Sequence, residues 1–451
     1  MKKYLVLIVI VSVLVGILYQ KEQQQRLLAF PSAEGGGAES VGGRGGKVIE
    51  VINLNSQGEG SLRFACESNG TRTVVFRVGG TIDLEGRDIV IKNDNITIAG
   101  QTATGDGIQI KNGGLVINAS EVIIRYLRLR PGPAHSDVDA LRVASPNRHE
   151  RKKNIIVDHI SAFWGVDETI DSGSFNDNVT IQWSIIAEGL HDSIHKEGPH
   201  SRGIMIAEES RNITLHHNLI YRNYKRNPLV QSSDADIINN VIVNPQYQAT
   251  IQPFKGGVSV NFIGNYFRSL QHKRPPIRVY DYNNGYDGLS GVYYKDNYDS
   301  YFRKDNNQSE KDIRILHLHE ASAPTEHIKD REKPYPFSSP SYESVHDAYL
   351  LVLANVGANY PKRDEVDTRV IDIVKSGVIP KTFVNHPEDV GGWSVLKEGT
   401  PSLDSDHDGM PDAWESFHGL NPQNDNDRNG KELSEMGYTN LEVYLNSLVE
   451  S

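Results

Sequence analysis

Between residues 48 and 301 the chain consists of short apolar runs without helical spacing, most of them opened by Asn or another polar residue. Asn95-Ile96-Thr97-Ile98, Glu121-Val122-Ile123-Ile124, Asn154-Ile155-Ile156-Val157, Asn178-Val179-Thr180-Ile181, Asn212-Ile213-Thr214-Leu215, Asp236-Ile237-Ile238-Asn239 and Ser259-Val260-Asn261-Phe262 share this form. The first apolar residues fall at 96, 122, 155, 179, 213, 237 and 260, giving steps of 26, 33, 24, 34, 24 and 23. A unit this short, holding several strands, cannot bury its apolar face alone. Units must stack, and the longer steps become loops on one face. The pattern predicts an all-β chain folded as a right-handed parallel β-helix. An antiparallel sandwich is the competitor, but its turns would recur every ~8–12 residues with hairpin dipeptides, which are scarce here. The repeated Asn predicts a hydrogen-bonded ladder at equivalent corners through Asn95, Asn178 and Asn212, ahead of glycosylation at the same Asn-x-Ser/Thr triplets.

The flanks differ from this repeat. Residues 1–26 begin with Lys2 and Lys3 and run apolar from Tyr4 to Tyr19, the layout of a signal peptide or, uncleaved, of an N-terminal anchor. Export follows, to the medium, the periplasm or the cell surface, with membrane contact only through an uncleaved leader. Residues 27–334 form the β-helix. Residues 335–400 open Pro- and Ser-rich and then turn helical, with Ala348, Leu351, Val352, Val356, Val366, Val370 and Ile373 at mixed three-and-four spacing; this is a linker and helical extension that caps or flanks the solenoid. Residues 401–451 form an acidic tail.

Composition narrows the partners. Lys+Arg 47 against Asp+Glu 58 leaves a net charge of -11, which argues against nucleic acid and means that an anionic ligand needs local cations. The single cysteine, Cys66, excludes an intramolecular disulfide framework and Cys-based zinc sites, and its expected role is a buried free thiol. Nothing in the sequence calls for an oligomer, so the chain is expected to be a monomer.

Three segments on successive coils carry chemistry. Asp137-Val138-Asp139 follows one run and Asp167-Glu168-Thr169-Ile170-Asp171 lies on the next coil. Equivalent points of adjacent coils stack one strand spacing apart, so Asp139, Asp167 and Asp171 are placed to face a common cation. Oxygen ligands alone suit Ca²⁺. The third segment, His216 to Leu229, is basic, and with Lys196 in the preceding insertion it places Lys196, Arg222, Lys225 and Arg226 opposite the acids.

These segments resemble the pectate lyases of polysaccharide lyase family 1 over roughly residues 30–299. Asp137-Val138-Asp139-Ala140-Leu141-Arg142 is similar to the family's Asp-x-Asp-x-Ile-Arg, and Ile155-Ile156-Val157-Asp158-His159 to its Val-Trp-Ile-Asp-His, with Ile156 in place of Trp. Asp167 and Asp171 match its Asp-x-x-x-Asp calcium pair, with Glu168 as an additional ligand. Arg226-Asn227-Pro228-Leu229-Val230-Gln231 resembles Arg-x-Pro-x-x-Arg, with Gln231 replacing the second arginine. The resemblance implies calcium bound by Asp137, Asp139, Asp167, Glu168 and Asp171. It implies Arg226 as catalytic base, with Lys196, Arg222, Lys225 and Gln231 as substrate-binding residues. The implied activity is calcium-dependent β-elimination of 1,4-linked galacturonan (polygalacturonate or pectin) to 4,5-unsaturated oligogalacturonides. Alternatives are a pectin lyase, a lyase for another uronate, or a non-catalytic β-helix adhesin or carbohydrate-binding protein.

In the tail, Asp404, Asp406, Asp408, Gly409, Asp412 and Glu415 fall at positions one, three, five, six, nine and twelve of a calcium loop. The segment resembles thrombospondin type 3 and dockerin-like calcium repeats. Residues 424–430 followed by Glu442 form a looser second half. Structural calcium is the expectation, ahead of docking to a partner.

Overall fold

The computed structural model describes residues 27–449 apart from 232, 244–248, 254–255, 269–275, 282–289, 301–314 and 320–327; the leader lies outside the described residues. Among the described residues there are three parallel sheets, of eleven, nine and nine strands; the first turn adds a strand to the largest sheet alone, and from Arg72–Phe76 onward each coil adds one strand to each sheet in rotation. This is a parallel β-helix, as the repeat predicts. Inward side chains form one apolar column from Val51 to Val292, whose rungs are mostly Ile, Val and Leu. β-branched residues suit such a column because they pack on a pleated surface that is covered on its inner side.

The seven runs read from the sequence are seven neighbouring strands of the eleven-stranded sheet. Ile96, Val122, Ile155, Val179 and Ile213 are register partners. The next partner is Ala235 rather than Ile237, followed by Val260. The true steps there are 235 − 213 = 22 and 260 − 235 = 25. The two-residue slip kept the correct face because the side-chain period in a strand is two.

Asn95, Glu121, Asn154, Asn178 and Asn212 open these strands with φ between 54 and 62°, the left-handed corner that Asn tolerates. Asn212 donates to Asn178 and Asn178 to Asn154, both at 2.9 Å, and Asn154 donates to Glu121 at 2.6 Å. A second, buried ladder through Asn218, Asn240, Asn265 and Asn297 was not anticipated; its amide links are 2.9–3.0 Å long.

The Gly-rich segment after residue 34 is a strap across the outer face of the eleven-stranded sheet. Gly36 and Gly37 donate to Thr214 and Thr180 Oγ1, and a Cβ on Gly37 would lie 2.1 Å from the carbonyl oxygen of Ile155. Only glycine fits there. Ile156 lies under the strap with Phe30 and Ala33, where a Trp would need more room.

A short helix, Leu62–Glu67, buries Leu62, Ala65 and Cys66 and was not predicted. It confirms Cys66 as a buried free thiol, whose pKa burial pushes up to about 12. The helices Val345–Asn355 and Glu365–Ser376 pack with Val352, Val366, Val370 and Val374 on the outer face of the second nine-stranded sheet, among Phe163, Ile185 and Leu219. Of the residues read as their apolar stripe, Leu351 is exposed and Leu353 is buried in its place. Arg130, fully buried, clamps the start of the second helix by pairing with Asp364 at 2.5 Å and Asp367 at 2.8 Å.

The tail packs back onto the first coils. Met410, Leu441 and Leu445 cluster with Ala99 and Val48, while Arg44 pairs with Glu442 at 2.7 Å and Arg125 donates to Asn446 at 3.1 Å. Its apolar face is therefore occupied by the β-helix. Among the described residues no helix is long and apolar enough to cross a membrane.

Candidate active site

The outer face of the first nine-stranded sheet carries the site. Parallel register aligns Arg142, Asp171, Met205, Leu229, Thr250 and Arg278 in one row across six neighbouring strands. Asp139, Asp167 and Glu168 gather beside the upstream end of this row, each offering an oxygen within 4.8 Å of the others. They lie in the connection before Leu141–Val143 and at the start of Glu168–Ser172. Asp139 Oδ1 accepts from the Glu168 backbone N–H at 2.8 Å, which locks the two loops together.

The electrostatics are those of a site short of positive charge. Burial, then Asp171 and Asp167, hold the Asp139 carboxyl well above the ordinary carboxylate range. Burial likewise raises Asp171 to about 6 against the opposing Arg142 guanidinium, 3.3 Å away. Asp171 Oδ1 is buried with no hydrogen-bond donor. Such an orphaned oxygen beside three crowded carboxylates, all hard ligands, fits a hard divalent cation such as Ca²⁺.

The opposite wall is basic. Arg226 sits at the Asn227–Pro228 turn and is half-buried; its guanidinium contacts Glu168 Oε1 and donates to Met205 Sδ at 3.1 Å, which places it over the row. Burial lowers its pKa, while Asp167 and Asp139 oppose that change. Arg202 reaches Asp167 at 3.6 Å and Glu168 at 3.5 Å. A groove of ≈ 300 Å³ is lined by Arg202, Lys225, Arg226, Gln252, Arg278 and Tyr280, together with Leu229 and Thr250 from the row.

The structure brings together Asp139, Asp167, Glu168, Asp171, Lys225 and Arg226, and it corrects several other expectations. Asp137 is exposed and pairs with the equally exposed Lys196 at 3.4 Å, so neither belongs to the carboxylate group or the groove lining. Arg222 is not a substrate contact: it is buried, pairing with Glu188 at 3.2 Å and donating to Thr382 O at 2.7 Å, because its corner is covered by the C-terminal extension. Gln231 is half-buried and does not line the groove, although its neighbour on the next coil, Gln252, does.

Three groups were missed. Arg202 and Arg278 lacked a motif and become visible only through strand register. His195 and His200, both buried, point Nε2 at Asp167 Oδ1, at 3.7 and 2.9 Å, and so orient it. His195 Nδ1 accepts from the Glu197 N–H, which leaves the proton on Nε2, facing Asp167 beyond hydrogen-bond distance, so the hydrogen bond to Asp167 is the one made by His200.

In the tail, Asp404, Asp406 and Asp408 form one oxygen group, and Asp408, Glu415 and Asp427 form another that shares Asp408. Asp404 Oδ1, both Asp406 oxygens, Asp408 Oδ2, both Glu415 oxygens and Asp427 Oδ1 are buried without donors. Burial and then mutual repulsion raise Asp408 to about 8 and Glu415 to about 7. These residues fit bound calcium. Asp412 does not belong with them: its carboxylate accepts from Ser405 N and Oγ at 2.7 Å, a loop-closing role, and Asp427 stands in its place. Glu442 caps its own helix at Thr439 and pairs with Arg44, so it is not a ligand.

No protein-family profile matches the chain. Among curated proteins it is 38% identical over 431 residues to "Probable pectate lyase C" of Aspergillus flavus, covering 94% of this chain and 95% of that one. The Emericella nidulans protein of the same description is 37% identical over 426 residues, covering 94% and 93%. Among solved structures, the cedar pollen allergen jun a 1 superposes with a TM-score of 0.50 at 16% identity, over 72% of this chain and 92% of that one. The thermostable pectate lyase PL 47 does so with 0.50 at 16%, over 73% and 97%. Pectate lyase Bsp165PelA from Bacillus sp. N165, solved with trigalacturonate, gives 0.50 at 16%, over 72% and 98%.

Proposed function

Because the chain belongs to the pectate lyase family, and so is a polysaccharide lyase, we propose that it cleaves 1,4-linked galacturonan by calcium-dependent β-elimination to 4,5-unsaturated oligogalacturonides. The observation that carries this reading is the divided site: a crowded carboxylate group on one wall, and Arg226 with Lys225 and Arg202 on the other, meeting at one groove. We also propose that the chain is exported by its N-terminal segment and acts as a monomer.

The reaction begins at the proton on C5 of a galacturonate, acidic because it lies α to a carboxylate. Asp139, Asp167, Glu168 and Asp171 would hold calcium, which would supply positive charge against the substrate carboxylate and the enolate-like transition state. Arg226, placed over the row at Met205, takes the C5 proton in its neutral form, which burial favours, and becomes the guanidinium. The C4–O bond then breaks, its electrons leave with the oxygen, and the C5 pair becomes the C4=C5 double bond; the leaving oxygen takes a proton from water. Arg202 and Lys225 bind flanking carboxylates. His195 and His200 hold Asp167 in the orientation the cation site requires.

Calcium in the tail is structural on this reading. Asp404, Asp406, Asp408, Glu415 and Asp427 hold it, and it stiffens the segment packed on the first coils.

The test is growth of ultraviolet absorbance from the unsaturated product on polygalacturonate, with chelator and after calcium is restored. Activity only with calcium is expected. Full activity in chelator removes the cation from the reaction, and no product under either condition removes the substrate assignment.

A further inference from the structure

Four of the groove's lining residues, Arg202, Lys225, Arg226 and Arg278, are basic and none is acidic. Two of them are committed to the carboxylate wall: Arg202 and Arg226 both touch Glu168. Arg278 is placed differently. It stands in the same row as Met205, over which Arg226 lies, but three strands further along, by way of Leu229 and Thr250. Three strand spacings are about 14 Å. A 1,4-linked uronate unit advances by a length similar to one coil, so a polymer lying along the row would bring its third unit from the reaction centre to Arg278.

The guanidinium is positioned from its own strand. Arg278 Nη1 donates to Tyr280 Oη at 3.3 Å, and residues two apart in a strand share a face, so both line the groove. Arginine's planar fork suits a carboxylate better than a point charge would. The groove also needs this cation: the protein carries -11 overall, and the motif position that would supply a second arginine holds Gln231, which does not line the groove.

We propose that Arg278, held by Tyr280, is a specificity-determining residue that receives the carboxylate of a galacturonate about three units from the scissile bond, so that the enzyme favours long de-esterified stretches. This rests on the galacturonan lyase reading above.

The experiment compares kcat/KM on trigalacturonate and hexagalacturonate for the wild type, Arg278→Met and Arg278→Lys, with melting curves of all three. Arg278→Met is expected to lose about tenfold on the hexamer, as one charge-assisted pair implies, with less than about twofold on the trimer. Arg278→Lys is expected to fall between them on the hexamer. A hexamer methyl-esterified throughout should show no difference between wild type and Arg278→Met. A hexamer-to-trimer ratio unchanged in Arg278→Met overturns the proposal, as does an equal loss on both oligomers. If the wild type releases no unsaturated product from either oligomer, the parent reading fails instead.

Discussion

Removing calcium should make this protein's stability fall as pH rises, because the tail holds its acids where only a cation or a proton satisfies them. Asp408 and Glu415 have no exposed surface, and burial followed by repulsion from Asp404, Asp406 and Asp427 raises them to about 8 and about 7. Arg77, 3.5 Å from Asp404, and Glu50 are the other charged groups facing the loop, with His407 on its rim. Without calcium, the folded state binds more protons than the unfolded chain between about pH 4 and 8, so the slope of unfolding free energy with pH is negative across that window. Stability is full below the ordinary carboxylate pKa and is lost as pH passes the raised values. Asp408 moves from 3.8 to about 8, and each tenfold change in proton affinity is worth about 1.4 kcal/mol. Since the two acids share one repulsion, a loss on the order of 4 kcal/mol from pH 5 to 8 is expected for the pair together. Extending the usual size scaling to a chain of this length, each kcal/mol moves the melting temperature by about 1–2 °C. The gap between calcium-loaded and chelated melting temperatures should therefore widen by roughly 6 °C from pH 5 to pH 8. In the double variant Asp408→Asn, Glu415→Gln the chelated protein should lose most of this slope, keeping what the other raised acids contribute, among them Asp139, Asp171 and Asp236. An equal gap at the two pH values, or a chelated protein more stable at pH 8, would refute the reasoning.

Arg226→Lys should lower kcat on polygalacturonate by about 10³ with an unchanged melting curve, since it removes the base and its planar reach; near-wild-type turnover would dismiss its role. Asp171→Asn should weaken calcium binding measured by calorimetry about tenfold while leaving the chelated protein more stable, because it relieves the repulsion on Asp139. Calcium affinity unaltered by that change would move the cation elsewhere. Arg130→Met leaves Asp367 buried without its guanidinium partner, Asp364 keeping Arg128 at 3.3 Å, and should destabilise by about 3–5 kcal/mol in denaturant unfolding.

What the sequence made legible follows from periodicity. Seven of the eleven strands of the largest sheet were legible because their runs share one opening and one inward face. The slip at Ile237 arose because Ala235, two residues earlier, presents the same face with little apolar weight. The acidic wall was legible because its residues lie within short segments. Arg278 and Arg202 were not, since only strand register relates them to Arg226. Arg222 was misread because a basic residue near a basic motif looks the same whether it faces the groove or a covering helix; the lid over its corner, around Thr382, is contributed 160 residues later. Asp427 was legible only as part of a looser second half, because its loop lacks regular spacing, although it completes the group around Asp408.

The tail's contact with the first coils bears on how the chain folds as it is made. Arg44 and Glu442, which pair at 2.7 Å, are 398 residues apart in sequence. At synthesis rates of about 5–20 residues per second, the early coils wait roughly 20–80 s for the segment that covers Val48 and Ala99. A solenoid folds by adding neighbours one at a time, but this seam cannot close until the last helix exists. Nascent chains stalled before residue 440 should therefore fold their coils yet stay open to protease around residues 41–60, and release of the full chain should close that window in a single step. The fold is thus vectorial over most of its length and closed only at its end, where Arg44 and Val48 share one patch with Leu441 and Glu442.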